Sequence, residues 1–341
     1  MRDGTTARAL REFSPRPFQP AWWLPGAHAQ TIAGRLLRRP HPPVFRRQRL
    51  ETPDGDFLDL DWVPAEDRDA PLVLLLHGLE GSARRGYAIN TYRALAANGL
   101  RAVGLNFRSC GGEPNRTARF YHSGETGDLR VAIDALEQRF DQDVSAAIGF
   151  SLGGNVLLKY LAEEGDAARL RAAVAVSVPY DLAAGADALD GTRMGRFYTS
   201  HFLASLVEKM EAKSALLNTR IDLERIRRAR SFREFDDAAT APLHGFAGAE
   251  DYYSRSSSGP LLDRVRVPTL LIHAADDPFL PPSAIPNEAI DRNECLRAVL
   301  TRRGGHVGFI AGSPRRPAFW VEQEAARFFG IALGTRPFAH V

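Results

Sequence analysis

Lysine, cysteine and long apolar runs are all scarce in this chain of 341 residues. Lysine occurs three times, so the 44 basic residues are almost entirely arginine, and with 41 acidic residues they leave a net charge of +3. A nucleic-acid-binding domain usually carries a larger and more clustered basic excess, so we expect no nucleic-acid partner. The apolar share of 44% is ordinary for a globular protein and excludes disorder as the main state.

The two cysteines, Cys110 and Cys295, are too few for a disulfide framework and suit a reducing compartment. The first 14 residues carry charges and lack the apolar centre of a signal peptide. The longest strictly apolar stretches, Leu72–Leu76 and Ala172–Val176, are far shorter than the ~18 residues that a membrane helix needs. We therefore predict a soluble, cytoplasmic protein.

Patterns of buried strands and of helices alternate along most of the chain. Residues 57–63 place apolar and acidic side chains on opposite faces, which predicts a half-buried antiparallel strand. Continuous apolar runs, typical of strands covered on both faces, then alternate with segments of helical periodicity. This predicts a mostly parallel, doubly wound α/β sheet in one domain spanning 1–341. The further predicted strands are 72–76, 101–106, 144–148, 172–178, 269–273 and 297–300, and the predicted helices are 87–98, 129–140, 152–164 and 317–329.

Two stretches depart from this alternation. Residues 1–50 are rich in proline, tryptophan and arginine, and we expect an irregular N-terminal segment packed on the domain. Residues 181–263 show helical patterns but no clear buried strand, which predicts a helical cap or lid insertion, with a plain structural excursion as the alternative. Phe202, Leu206 and Met210 share one helix face in this insertion, and they either line a pocket mouth or pack in the core.

A serine motif stands where one apolar run meets a helical segment. Residues 149–153 read GFSLG and match G-x-S-x-G between a predicted strand and a predicted helix. That context is the nucleophile elbow, so Ser151 is the candidate nucleophile, with an ordinary glycine-rich turn as the alternative. Serine attack creates an oxyanion that needs positioned N–H donors. We expect the N–H groups of Leu152 and, in the loop after the first apolar run, of Leu79 to supply them, while His77 serves packing.

In this arrangement the acid and then the histidine follow the serine along the chain. Asp276 and Asp277 lie just after the predicted strand 269–273, and we choose Asp277 as the acid because it directly precedes a proline turn. Asp276 is the alternative acid and would otherwise hydrogen-bond the turn. His306 follows two glycines in a loop before the last predicted helix, and it is the candidate base. This chemistry requires no metal and no organic cofactor.

Further short signatures run from the N-terminal part of the chain to the loop of His306. They are FQP at 18–20, WLP at 23–25, HAQTI at 28–32, DGDFLDLDW at 54–62, HGLEGS at 77–82, NFRSCGGEPN at 106–115, YHSGET at 121–126, GFSLGGN at 149–155, DDPF at 276–279 and GGHVGF at 304–309. Together they resemble the YheT-like family, also called α/β-hydrolase family 4, over most of the chain. Two departures, Ser109 where glycine is usual and Gly111 where serine is usual, leave the triad motifs intact. The resemblance implies an α/β-hydrolase fold and hydrolysis of carboxylic esters, either short-chain or lipid-like.

Other functions stay open beside ester hydrolysis. The same residues could serve a cofactor-free perhydrolase or acyltransferase, and the fold could also form a non-catalytic binding protein. Basic runs at 35–49 and 225–233 are typical of a solvated face. The alternative is contact with anionic lipid headgroups, which would make the protein a peripheral membrane partner. A polar cluster is either a substrate-facing network or, as we favour, a hydrogen-bonded loop scaffold. It comprises Arg108, Glu113, Asn115, His122 and Glu125.

Overall fold

A central sheet of eight strands organises the protein in a computed structural model that describes residues 4–217 and 220–335. Its strands are β1 (Arg46–Glu51), β2 (Phe57–Trp62), β3 (Leu72–Leu76), β4 (Arg101–Asn106), β5 (Val144–Phe150), β6 (Ala172–Val176), β7 (Thr269–Ala274) and β8 (Leu296–Thr301). They lie in the order β1-β2-β4-β3-β5-β6-β7-β8. β2 pairs antiparallel with β1 and β4, and the other neighbours are parallel.

Helices cover both faces of this sheet. They are α1 (Gly4–Glu12), α2 (Ala27–Leu37), α3 (Gly86–Ala97), α4 (Thr126–Phe140), α5 (Leu152–Glu164), α6 (Leu182–Asp190), α7 (Arg193–Ala212), α8 (Ser214–Leu217), α9 (Leu223–Arg228), α10 (Phe232–Phe235), α11 (Ala241–His244), α12 (Ala249–Ser256), α13 (Asn287–Arg292) and α14 (Trp320–Leu333). A hairpin of β9 (Ile310–Ser313) and β10 (Arg316–Phe319) precedes α14. The sequence pattern predicts that the last helix starts at residue 317. It starts at Trp320 instead, because residues 316–319 pair with β9 in the hairpin. No helix of the described residues is long and apolar enough to cross a bilayer.

The apolar runs form strands because both of their faces are covered. In β3 every residue is buried. Leu74 belongs to a core cluster with side chains of α4 and α5, such as Leu129 and Leu157. Leu75, on the opposite face, belongs to a second cluster with side chains of α3 and α14, such as Phe328. The predicted mostly parallel sheet with helices on both faces is therefore confirmed.

The prediction that residues 1–50 are irregular is wrong for the part that the structure describes. This stretch contains α1, α2 and β1. The sequence pattern does not indicate helix α2, because the face that this helix buries consists of Gln30, Ala33 and Gly34 rather than of large apolar side chains. A buried ion pair between Arg38 Nε and Glu322 Oε1, 2.6 Å apart, fastens the end of this segment to α14.

β1 was missed because arginine–aspartate pairs replace apolar alternation. Its Arg47 and Arg49 donate to Asp61 and Asp59 of β2, each at 2.9 Å. Arg84 adds a second guanidinium to Asp61 at 2.6 Å. Both aspartates are buried. The sequence pattern predicts that the polar face of β2 meets water, but arginine side chains cover it.

The insertion between β6 and β7 consists of helices α6 to α12, with no strand among its described residues. The core of the insertion, in which Leu206 and Met210 of α7 are buried, also includes Phe120, which lies outside the insertion. Side chains of α9 and α10 complete that core, among them Ile226 and Phe235. Within the insertion, Tyr253 Oη of α12 donates to the buried Asp236 Oδ2 at 2.8 Å.

The buried carboxyl group of Asp236 should make the stability of the protein depend on pH. Burial raises the pKa of Asp236 to about 6, although Thr240 and Tyr253 donate hydrogen bonds to it. Between about pH 4 and pH 6 the folded protein therefore keeps a proton that the unfolded chain has lost, and its stability falls as the pH rises. Relative to Asp236→Asn, the wild type should lose ~3 kcal/mol of unfolding free energy over this interval.

Chemical denaturation of both proteins at pH 4, 5, 6 and 7 measures this difference. A difference between wild type and Asp236→Asn that is the same at every pH would contradict the expectation.

Candidate active site

Ser151 sits at a strained turn between β5 and α5. Its backbone has φ 51° and ψ −119°, a combination that costs a non-glycine residue energy. Gly149 and Gly153 make this turn possible because they have no Cβ. A Cβ on Gly153 would lie 2.6 Å from the carbonyl oxygens of Leu76 and His77, and one on Gly149 would overlap the backbone of Gly153. The serine is therefore held above the ends of the strands, at the N-terminus of a helix.

His306 lies between Ser151 and Asp277. Its Nε2 is 2.9 Å from Ser151 Oγ, and its Nδ1 is 2.8 Å from Asp277 Oδ2. The Asp277 carboxylate is buried, and its Oδ1 accepts a hydrogen bond from the N–H of Phe279 at 2.8 Å. Burial pushes the pKa of Asp277 upward, but the charge and hydrogen bond of His306 hold it below its ordinary value. The acid therefore stays ionised at neutral pH.

The second carboxylate of the pair has another contact. Asp276 Oδ1 accepts a hydrogen bond from the N–H of Gly305 at 2.8 Å. It shapes the loop before His306 and does not reach the imidazole. The structure thus brings Asp277, rather than Asp276, to the histidine.

The N-terminal segment supports the histidine loop, which the sequence pattern did not reveal. Thr31 Oγ1 of α2 accepts a hydrogen bond from the N–H of His306 at 2.9 Å. Gln30 binds both backbone groups of Ile310, at 2.8 and 3.1 Å. These two residues belong to the HAQTI signature, so that signature was the available signal. On the other side, the ring of Phe279 stacks on the imidazole with 4.2 Å between centroids.

The loop after β3 lies against the serine. A Cβ on Gly78 would be 3.3 Å from Ser151 Cβ, so this backbone passes close to the nucleophile. Among the hydrogen bonds found in the described residues, none uses the N–H of Leu79 or of Leu152. The N–H of Glu80, in contrast, donates to Tyr121 Oη at 2.8 Å. The N–H of Glu80 is therefore engaged within the protein.

Helix α7 of the insertion contacts this same loop. Glu80, which has φ 52°, accepts hydrogen bonds from Tyr121 Oη and Lys209 Nζ, each at 2.8 Å, and from Ser205 Oγ. Burial opposes the charge of Lys209, yet its contacts with Cys110 and Glu80 raise its pKa above the ordinary value. This partly buried ion pair joins the insertion to the loop beside Ser151. The sequence pattern does not indicate it, because the partners are 129 residues apart.

His77 has both ring nitrogens bonded to the backbone. Nδ1 donates to the Gly78 carbonyl at 2.8 Å, and Nε2 accepts from the N–H of Phe107 at 3.1 Å. Burial lowers the pKa of His77 to about 4. The neutral ring connects two loops and is not placed to accept a proton from Ser151.

The polar cluster around Arg108 ties loops together. The buried guanidinium donates to Asp54 and Asp128 at 2.8 Å and to Asp56 at 3.0 Å. Asn115 Nδ2 also donates to Asp56, at 2.8 Å. Elsewhere in the cluster, Glu113 is exposed and accepts from Arg49, and Glu125 caps the start of α4.

Part of this cluster has the donor types of a metal site. Ligand atoms of His122, Glu125 and His244 lie within 4.8 Å of one another. However, His122 Nδ1 accepts the N–H of Gly124 at 3.1 Å, so the ring proton sits on Nε2 and faces Glu125. Glu125 also accepts from Arg119 at 2.6 Å. The protonated Nε2 of His122 cannot ligate a metal, and the guanidinium of Arg119 already occupies Glu125. The three residues therefore fit a hydrogen-bonded scaffold better than a metal site.

Phe202, Leu206 and Met210 share one face of α7 but lie in two different environments. Leu206 and Met210 are buried in the core of the insertion. Phe202 instead points toward Phe279, with 6.0 Å between ring centroids. Tyr198, one turn earlier on α7, lies 4.9 Å from the same ring. Because Phe279 stacks on His306, this end of α7 lies beside the candidate catalytic residues.

Comparison with known proteins agrees with this architecture. Residues 71–313 match the family model described as alpha/beta hydrolase fold. The chain is 41% identical over 325 residues to the protein "Putative esterase YheT" of Escherichia coli (strain K12), covering 93% of this chain and 94% of that protein. It is 29% identical over 332 residues to human Phospholipase ABHD3, covering 94% of this chain and 81% of that protein.

A solved structure also shares the fold. The Pyrococcus furiosus esterase Pf2001 superposes with a TM-score of 0.56 at 16% identity, covering 93% of this chain and 98% of that one. At this identity the likeness shows the fold alone. The family model, in contrast, spans well over half of the chain, and YheT matches along nearly its whole length. The chain therefore belongs to the alpha/beta hydrolase family, in its YheT-like branch.

Proposed function

We propose that the protein cleaves carboxylic esters through an acyl-enzyme on Ser151, with His306 as base and Asp277 as acid. The chain is a carboxylic ester hydrolase by its family, and the roles of individual residues are what we propose. One observation carries the proposal: a continuous chain of contacts from Asp277 through His306 to Ser151, with steps of 2.8 and 2.9 Å.

The contacts support a definite order of proton transfers. Ser151 Oγ attacks the ester carbonyl while His306 Nε2 takes the hydroxyl proton. Asp277 is ionised and bonded to Nδ1, so it fixes the tautomer and stabilises the imidazolium. The imidazolium then protonates the departing alcohol. Water, activated by the same histidine, releases the acid and restores Ser151.

The oxyanion of each tetrahedral intermediate would be held by the N–H groups of Leu79 and Leu152. Leu152 directly follows Ser151 as the first residue of α5. Leu79 follows Gly78, where an added Cβ would lie 3.3 Å from Ser151 Cβ. Removing one such donor typically costs ~10²–10³ in rate. Glu80 positions the Leu79 loop through its contacts with Tyr121 and Lys209.

We propose lipid-like acyl esters as the substrate class, and a lid role for the insertion 181–263. The aromatic rings of Tyr198, Phe202 and Phe279 next to His306 form an apolar wall suited to an acyl chain. Human ABHD3, a relative, is named a phospholipase. Perhydrolase or acyltransferase activity would use the same triad with another acyl acceptor in place of water. The cytoplasmic location of the protein stays a prediction.

The two neighbouring carboxylates test the triad. In an ester hydrolysis assay with Ser151→Ala as the inactive reference, Asp277→Asn should lower kcat by ~10⁴, because His306 loses the group that sets its tautomer. Asp276→Asn should be milder, since it removes a hydrogen bond to the backbone of Gly305 and acts on the loop. The opposite ranking of the two variants, or wild-type activity in Ser151→Ala, would refute the assignment.

Phe202 and Leu206 test the lid. Phe202→Ala should widen the acyl wall and move the preferred chain length upward, because each methylene in an apolar pocket contributes ~1–3 kcal/mol of discrimination. Leu206→Ala is the control, since it opens a cavity in the core of the insertion and should cost ~2–5 kcal/mol of stability. A panel of p-nitrophenyl esters of increasing length, with melting temperatures, separates the two effects. Equal losses on every ester for Phe202→Ala would show that the wall lies elsewhere.

A further inference from the structure

Two helices beside the candidate active site expose large apolar side chains. Ile32 and Leu36 of α2 are 37% and 53% exposed, and Phe197 of α7 is 58% exposed. Isolated exposed apolar residues are normal on a protein surface, but a group on adjacent helices next to a site is informative.

Side-chain contacts place the two helices next to each other. Arg35 Nη1 of α2 contacts His201 Nε2 of α7, and His28 Nδ1 lies 3.0 Å from Tyr198 Oη. Arg35 stands on the same face of α2 as Ile32 and Leu36, since these positions are three and four residues apart. The exposed sides of the two helices therefore form one surface, which we call the α2–α7 surface. It comprises Ile32, Arg35, Leu36, Arg39, Arg193, Arg196 and Phe197.

The charge of this surface is of one sign. Residues 27–39 and 193–204 contain five arginines and no aspartate or glutamate, although the chain as a whole is nearly balanced. Arg38 is buried against Glu322, and the other four arginines are exposed. Arginines of the basic run that continues into β1 are instead paired, as Arg47 and Arg49 are with Asp61 and Asp59. Within residues 4–217 and 220–335, the four exposed arginines form no ion pair with a carboxylate. Arg39 and Arg196 donate to the carbonyl groups of Leu36 and Asp190, and Arg35 contacts His201. Their positive charge is therefore available to an outside partner.

We propose that the α2–α7 surface docks on an anionic lipid bilayer. Apolar side chains enter the headgroup region of a bilayer while arginines at the same level bind lipid phosphates, which is the pattern found here. A second copy of the chain fits less well, because a twofold contact would bring the four arginines of one copy against those of the other. An acidic protein would match the charge but not the apolar side chains between the arginines.

The position of this surface gives the docking a consequence for the site. Thr31 of α2 holds the backbone of His306, and Tyr198 of α7 packs against Phe279, which stacks on the same imidazole. A bilayer that contacts both helices would lie at the edge of the candidate active site. The docking itself does not depend on any catalytic step.

Vesicle co-sedimentation tests the proposal with phosphatidylcholine vesicles and with vesicles of equal parts phosphatidylcholine and phosphatidylglycerol. The wild type and Ser151→Ala should bind the anionic vesicles equally, and the neutral vesicles much more weakly. Arg35→Gln combined with Arg196→Gln should weaken anionic binding ~30-fold, and added salt should reduce the wild-type affinity toward that of this variant. Leu36→Ser combined with Phe197→Ser should weaken binding at least ~10-fold.

Val44→Ser combined with Ile331→Ser is the matched control. These side chains are 86% and 47% exposed but lie outside the α2–α7 surface, so binding should stay at the wild-type level. Melting temperatures verify that all variants are folded. Equal binding to neutral and anionic vesicles, or an equal loss in the control, would overturn the proposal. It would also be overturned if the surface variants changed the oligomeric state in size-exclusion chromatography and left vesicle binding unchanged, because the partner would then be a second copy.

Discussion

The strained backbone at Ser151 sets the geometry of the whole candidate site. A serine at φ 51° is stable only where its surroundings hold the turn from every side. Here Gly149 and Gly153 allow β5, α5 and the end of β3 to approach within distances that a Cβ would forbid. The eight-stranded sheet, with two apolar clusters on its faces, supplies the rigidity that maintains this geometry.

Three distant parts of the chain converge on that turn. The N-terminal helix α2 holds the backbone of His306 through Thr31. Helix α7 of the insertion reaches the loop after β3 through Lys209 and Glu80. The carboxyl end of β7 leads into Asp277, whose buried carboxylate orients the imidazole. The alignment of the three groups is therefore a property of the whole fold, and the parts outside the sheet support the loops that hold the candidate catalytic residues.

Much of this arrangement could be predicted from local sequence, and the reasons for the failures are physical. The buried strands and the serine turn have local signals: apolar runs, glycines at fixed positions and a helix that follows at once. In β1 the stabilising contacts are arginine–aspartate pairs across strands, as between Arg49 and Asp59. The residues of β1 therefore show no alternating apolar pattern from which a strand could be predicted. The contact of Lys209 with Glu80 joins residues far apart in the chain, and nothing in either local sequence indicates it. Choosing Asp277 over Asp276 rested on a single proline, whereas the hydrogen bond of Asp276 to Gly305 depends on how two loops meet.

We propose that the contacts of Ser151 with His306 and Asp277 make the Ser151 hydroxyl the nucleophile. Reaction with an activated carbamate ester tests it directly, because a carbamoylated serine is released slowly and can be located by mass spectrometry of peptides. We expect one carbamoyl group per chain, on the peptide that contains Ser151, and much slower labelling in His306→Ala. Modification of another residue, or labelling of Ser151 at the same rate without His306, would contradict it.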